Sequence, residues 1–125
     1  MLLYDVLSEI VKNEDVLLII RNNASISETR SNSMSIRQKE NWITIGENDG
    51  PAHMHINSEM IKSCEFVTEE KSDKTSFSVR FFDEKGERVL AAFFTKMYDE
   101  YNNLNPKRNE IYESLKQKFG SQIKF

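Results

Sequence analysis

The chain opens on apolar residues spaced three and four apart: Leu3, Val6, Leu7, Ile10 and Val11. That spacing gathers them on one side of a helix running from Leu3 to Val11, which Asn13-Glu14-Asp15 ends. From Val16 to Ile20 the pattern changes to an unbroken apolar run, short enough for a buried strand and closed by the turn-forming Arg21-Asn22-Asn23. Ala24 to Arg30 and Ser33 to Gln38 are polar but alternate, with Met34 and Ile36 on one side, as edge strands do. Trp42 to Ile45 predicts another strand, with Trp42 and Thr44 on one face and Ile43 and Ile45 on the other. The breaker cluster Glu47-Asn48-Asp49-Gly50-Pro51 then turns the chain, so Ala52 to Ile56 should return antiparallel. Ser58 is placed to cap a single helical turn through Ile61.

Cys64 to Thr68 reads as a further strand, and Lys71 to Lys74 as a polar loop. Residues 75–95 form the strongest pattern, one long hairpin with its turn at Asp83-Glu84-Lys85-Gly86, where Gly86 can take a positive φ. Phe77, Val79 and Phe81 are expected to share a face with Val89, Ala91 and Phe93. Phe82, Leu90 and Phe94 fall opposite, so the hairpin should be covered on both sides and central to its sheet. Tyr98, Tyr101 and Leu104 stand at helical spacing before Asn105-Pro106. A closing helix is predicted from Pro106 to Phe119, burying Ile111, Tyr112, Leu115 and Phe119 and stopping at Gly120. The sum is an α+β fold, one antiparallel β-sheet of about seven strands flanked by N- and C-terminal helices, in a single domain spanning 1–125.

Composition narrows what such a fold can do. The 17 Lys and Arg against 20 Asp and Glu give a net charge of −3. No excess of positive charge is available to neutralise phosphates, which argues against nucleic acid and anionic membrane surfaces as partners. The single Cys64 excludes an intrachain disulfide and a cysteine-built zinc site, and fits a reducing compartment. The N-terminal run lacks a basic head and carries acids, unlike a signal peptide, and no apolar stretch reaches 18 residues; a cytoplasmic protein is expected.

Candidate chemistry centres on the only two histidines. His53 and His55 sit two apart on a predicted strand, so both imidazoles leave the same face and are expected to line a pocket. Such a pair can hold a transition metal, or give one nitrogen to haem iron while the second imidazole orients the group. The plainer alternative is two half-exposed sheet residues without a ligand. Arg80 lies between Val79 and Phe81 on the face of Ser78 and Phe82, where its guanidinium can pair with a ligand carboxylate or with one of the chain's own. Nothing forms a nucleophile elbow, and four glycines leave no phosphate-cradling loop. Cys64 beside Glu65 reads as packing.

Four stretches together carry a family resemblance. Leu17-Leu18-Ile19-Ile20-Arg21-Asn22-Asn23-Ala24-Ser25-Ile26-Ser27-Glu28, Trp42-Ile43-Thr44-Ile45-Gly46, His53-Met54-His55-Ile56 and the hairpin from Ser76 to Val89 resemble the haem-utilisation family of HemS, ChuX and HutX, over residues 16–95. The resemblance implies cytoplasmic haem or related tetrapyrrole binding or trafficking and, because some relatives hold two copies in one chain, a homodimer here. It carries His53 and His55 over as iron-ligand positions; Arg80, read from its place in the hairpin and not from the resemblance, is the candidate partner to a haem carboxylate. The axial histidine of two-copy members has no match. Two other functions remain open: a cofactor-free dimeric interaction module, and a haem-degrading enzyme with an external electron donor.

Overall fold

The computed structural model describes residues 2–125. The first helix, α1, runs Leu3–Val11 as the spacing predicts, and all five residues of its stripe are buried. Asn13 ends it by donating from Nδ2 to the carbonyls of Glu9 and Ile10. Strands β1 (Val16–Arg21) and β2 (Ile26–Ser31) follow as a hairpin. A smaller meander comprises β3 (Ile36–Lys39), β4 (Trp42–Ile45) and β5 (Met54–Asn57). After a short 3-10 turn at Ser58–Met60 come β6 (Ser63–Lys71), β7 (Lys74–Phe82), β8 (Arg88–Phe94), α2 (Pro106–Phe119) and β9 (Gln122–Lys124).

Among the described residues the strands thus number nine and divide between two antiparallel sheets, one ordered β2-β1-β8-β7-β6-β9 and one ordered β3-β4-β5. The hairpin β7–β8 is central in the larger sheet, as its two apolar faces imply. Its facing, however, is the reverse of the expected one. Phe82 pairs with Arg88, a register that would set Phe81 against Val89, but a bulge inserts one residue and pairs Phe81 with Leu90 and Val79 with Ala92. One extra residue flips every later side chain. Phe77, Val79 and Phe81 therefore share the core face with Leu90, Ala92 and Phe94, all of them buried. Arg80, Phe82, Val89 and Phe93 share the other face and are half-buried, so that side is only partly covered.

Helix α2 closes the inner face. Asn105 caps it by accepting from the amides of Lys107 and Arg108, Pro106 occupies its first turn, and Gly120 leaves it at φ 95°. Tyr112 enters the core whole: its ring stands edge-on to Phe66, Phe77 and Phe94 at 5.3–5.5 Å between centroids. Its hydroxyl donates to the Ser78 carbonyl at 2.8 Å, which offsets burying the oxygen. Ile43, Ile45, Met54 and Ile56 of the smaller sheet join the same core.

Three local expectations are corrected. Asn57, not Ser58, caps the 3-10 turn, accepting from the Glu59 amide. Tyr98 to Leu104 is no helix: Asp99 Oδ1 accepts from the amides of Tyr101 and Asn103, folding a turn that sets Tyr98 against Leu104 in a β-bridge. Lys71 to Lys74 is a tight hairpin turn rather than a loop, with Lys71 paired to Lys74. Among the described residues no helix is long and apolar enough to cross a membrane.

Candidate functional site

Strand alternation gives each sheet one face in the core and one turned away from it. On the smaller sheet Ile43, Ile45, Met54 and Ile56 are buried, so the intervening positions Trp42, Thr44 and His55 come to the outer face, and His53, one residue ahead of β5, is exposed next to them. Arg37 and Lys39 join them there, because Arg37 pairs with Thr44 and Lys39 with Trp42. The structure does bring the two histidines together, with ring centroids 5.2 Å apart and edge-on to one another. Thr44 Oγ1 lies 2.9 Å from His55 Nδ1, which orients that ring and leaves Nε2 as its outward nitrogen. The expectation that the pair lines a pocket fails: both residues are exposed, and so in large part is Trp42, at 47%.

Gly46 holds this face in shape. Its φ is +88°, and a Cβ there would lie 2.5 Å from the Ala52 carbonyl oxygen and 2.6 Å from Met34 Cε. Only glycine lets the turn between β4 and β5 close so tightly ahead of His53. Arg37 fastens the same turn, donating to the Gly46 carbonyl at 3.0 Å and to Asn48 Oδ1 at 3.2 Å. Donor count limits what the pair can do alone. No three His, Cys, Asp or Glu side chains cluster among the described residues, so a bare divalent ion would find two imidazoles where tetrahedral sites use three or four ligands. Haem needs only one axial nitrogen from the protein, and an exposed aromatic flanked by cations suits a flat anionic ring, so the donor set fits haem better than a free metal.

Arg80 stands elsewhere, on the outer face of the larger sheet. It contacts Glu69 across 3.5 Å, donates from Nε to Ser78 Oγ, and sits 6.0 Å from the Phe93 ring centroid. None of these partners is a histidine. Glu69 is divided between Arg80 and Lys71 and is half exposed, so the pair is weakly held. Sequence reasoning missed two further arginines, Arg21 and Arg88, which β1 and β8 place around one cleft. The signal for Arg21 lay in the Arg-Asn-Asn ending of β1; Arg88 could be placed only by the bulge. Cys64 is buried, and burial first, then the Glu65 charge, pushes its thiol up to about 12, so it offers no nucleophile.

Comparison with known proteins extends the likeness beyond these stretches. A protein-family model matches residues 4–122, from α1 into β9. Among solved structures the fold is similar to the heme-binding protein ChuX, at 15% identity and TM-score 0.75, covering 91% of this chain and 70% of that one. It is similar to ChuS, an E. coli heme oxygenase, at 16% identity and TM-score 0.71, covering 91% of this chain and 35% of that one. It is similar also to apo-PhuS, a heme-binding protein from Pseudomonas aeruginosa, at 16% identity and TM-score 0.72, covering 90% of this chain and 33% of that one. The chain therefore spans about a third of ChuS and PhuS. No curated protein matches it.

Proposed function

The chain belongs to the haem-utilisation family of ChuX and HutX, and from that premise we propose that it binds haem or a related tetrapyrrole in the cytoplasm and passes it on without chemistry of its own. The observation that carries this reading is the imidazole pair: two rings 5.2 Å apart on one sheet face, one of them oriented by Thr44. His53 or His55 would supply a nitrogen to the iron, the other imidazole would flank the group, and Trp42 would offer a flat apolar neighbour for the macrocycle. When bound, the haem supplies the iron; the protein supplies ligand, orientation and shelter.

Shelter is what one copy lacks. A macrocycle laid on an exposed face keeps its far side in water and forfeits about half of the apolar burial that makes haem binding tight. A second copy of this chain is the economical cover, and the proposal therefore includes a homodimer. Arg80 stands on the other sheet and is held only by the half-exposed Glu69, so in such a dimer it would be the candidate to exchange that partner for a haem carboxylate. Each copy, residues 1–125, acts as one haem-utilisation domain.

Hemin titrated into the purified chain tests the reading. A sharpened Soret band that saturates at a fixed haem-to-chain ratio, together with a particle of twice the chain mass by sedimentation, is expected. A spectrum that stays that of free hemin at every ratio overturns it.

A further inference from the structure

A cleft of about 400 Å³ opens between Arg21, Asn22 and Asn23 at the end of β1 and Glu87, Arg88 and Val89 at the start of β8. The two arginines differ from the other four in the chain. Arg30 donates to Thr95, Arg37 to Gly46 and Asn48, Arg80 to Ser78, and Arg108 to the carbonyls of Thr95 and Asp15. Arg21 and Arg88, by contrast, have neither an ion pair nor a side-chain hydrogen bond among the described residues. Two guanidinium groups with ten N–H donors thus line one opening with no protein acceptor among the described residues. We propose that this cleft is an oxyanion site, in which Arg21 and Arg88 grip the carboxylate or phosphate of an organic ligand.

Geometry and charge agree on this. Arg88 is half-buried, and burial together with the nearby Arg21 and Arg80 charges holds it below the usual arginine value, Glu69 opposing. A folded chain that tolerates such repulsion has most to gain from an anion between the two forks, since guanidinium pairs carboxylate and phosphate through two parallel bonds. The walls are fixed in advance: Asn22 Oδ1 accepts from the amides of Ala24 and Ser25 and from Ser25 Oγ, locking the loop that carries Arg21. What remains to be ordered on binding is the two arginine side chains, not the backbone. One acid, Glu87, lines the cleft and takes part of its charge without pairing with either arginine. Val89 gives an apolar wall, which suits an anionic group attached to a carbon skeleton.

The site stands apart from the histidine face and does not depend on the haem reading. Its anion has two sources, the carboxylates of haem or a separate small acid or phosphate, and the experiment separates them. The full chain is titrated by calorimetry at low salt with succinate and, separately, with inorganic pyrophosphate. Saturable one-to-one binding of at least one probe is expected, weakened about tenfold or more in Arg21→Gln and in Arg88→Gln, and unchanged in Lys74→Gln on the same sheet. No saturation with either probe, or equal binding by the arginine variants, overturns the proposal. Where the probe binds, hemin and hemin dimethyl ester are added in turn. Displacement by hemin alone assigns the cleft to haem carboxylates, and displacement by neither assigns it to a separate ligand.

Discussion

The two sheets solve the same problem with opposite consequences. Each is half-buried, and each sends its alternate residues into one shared core: Val79, Phe81, Leu90 and Ala92 from the larger, Ile43, Ile45, Met54 and Ile56 from the smaller. Their outer faces then diverge. The larger sheet keeps half-buried Val89 and Phe93 among arginines, a floor suited to apolar groups with acidic ends. The smaller sheet exposes imidazoles beside Trp42, a face suited to a flat ring that carries its own metal and not to a free ion. Side-chain parity separates folding from function here: one parity makes the core, and the other is free to carry chemistry.

The comparison breaks most visibly where the core is removed. Tyr112→Ala takes away the ring on which Phe66, Phe77 and Phe94 converge, and should cost about 3–5 kcal/mol in chemical denaturation. Tyr112→Phe, which strands the Ser78 carbonyl acceptor, should cost about 1–2 kcal/mol. Equal losses for the two would mean that the ring packing matters less than argued.

A sharper probe acts on the smaller sheet alone. Gly46→Ala forces a Cβ against the Ala52 carbonyl at positive φ and should cost about 1–3 kcal/mol. Its backbone signals should shift around His53 and His55 and leave β7 and β8 unmoved in amide NMR. Shifts spread evenly over both sheets would show that the small sheet's turn is no independent support for its face.

The thiol offers a quieter contrast between inside and outside. Cys64 should resist a thiol reagent at pH 8 in the folded protein and react at once in denaturant, because burial keeps it protonated to about pH 12. Prompt reaction in the native state would place it outside the core.

The smallest effect joins the helices. Glu9 accepts from Lys118 at 2.8 Å and also pairs with Lys12, and these partners hold its carboxyl below the usual 4.5. A depressed folded value means that the contribution is present above that usual pKa and lost as pH falls through the lowered one. Glu9→Gln should therefore cost less than about 1 kcal/mol at neutral pH, the pair being exposed, and nothing once acid has protonated the wild type. A cost that persists at pH 2 would point to packing instead.

Much of this was legible in the residues. The bounds of α1 and α2 follow from apolar spacing, Pro106 and Gly120, and β4 and β5 from alternation around a strong turn. What was hidden depends on one local event or on distant pairing. The bulge at Phe81 and Phe82 inverted the facing of β8, and no turn residue announces it. Strand β9 has only three residues and exists because Cys64 pairs with Ile123 across the chain. Helical spacing at Tyr98, Tyr101 and Leu104 lost to the side chain of Asp99, which gave the backbone a nearer partner. The histidine pair was visible because two residues two apart in extended chain need no tertiary information, even though only His55 lies within β5. The Arg21 and Arg88 cleft was not, because it forms only when β1 lies beside β8.

The histidine face is the central claim, and hemin binding by a His53→Ala, His55→Ala double variant tests it most directly. The account predicts that the variant keeps the wild-type fold by circular dichroism and loses the iron-ligand absorption, with hemin affinity down by about tenfold or more. A double variant that binds hemin with the wild-type spectrum and affinity would remove both imidazoles from the site.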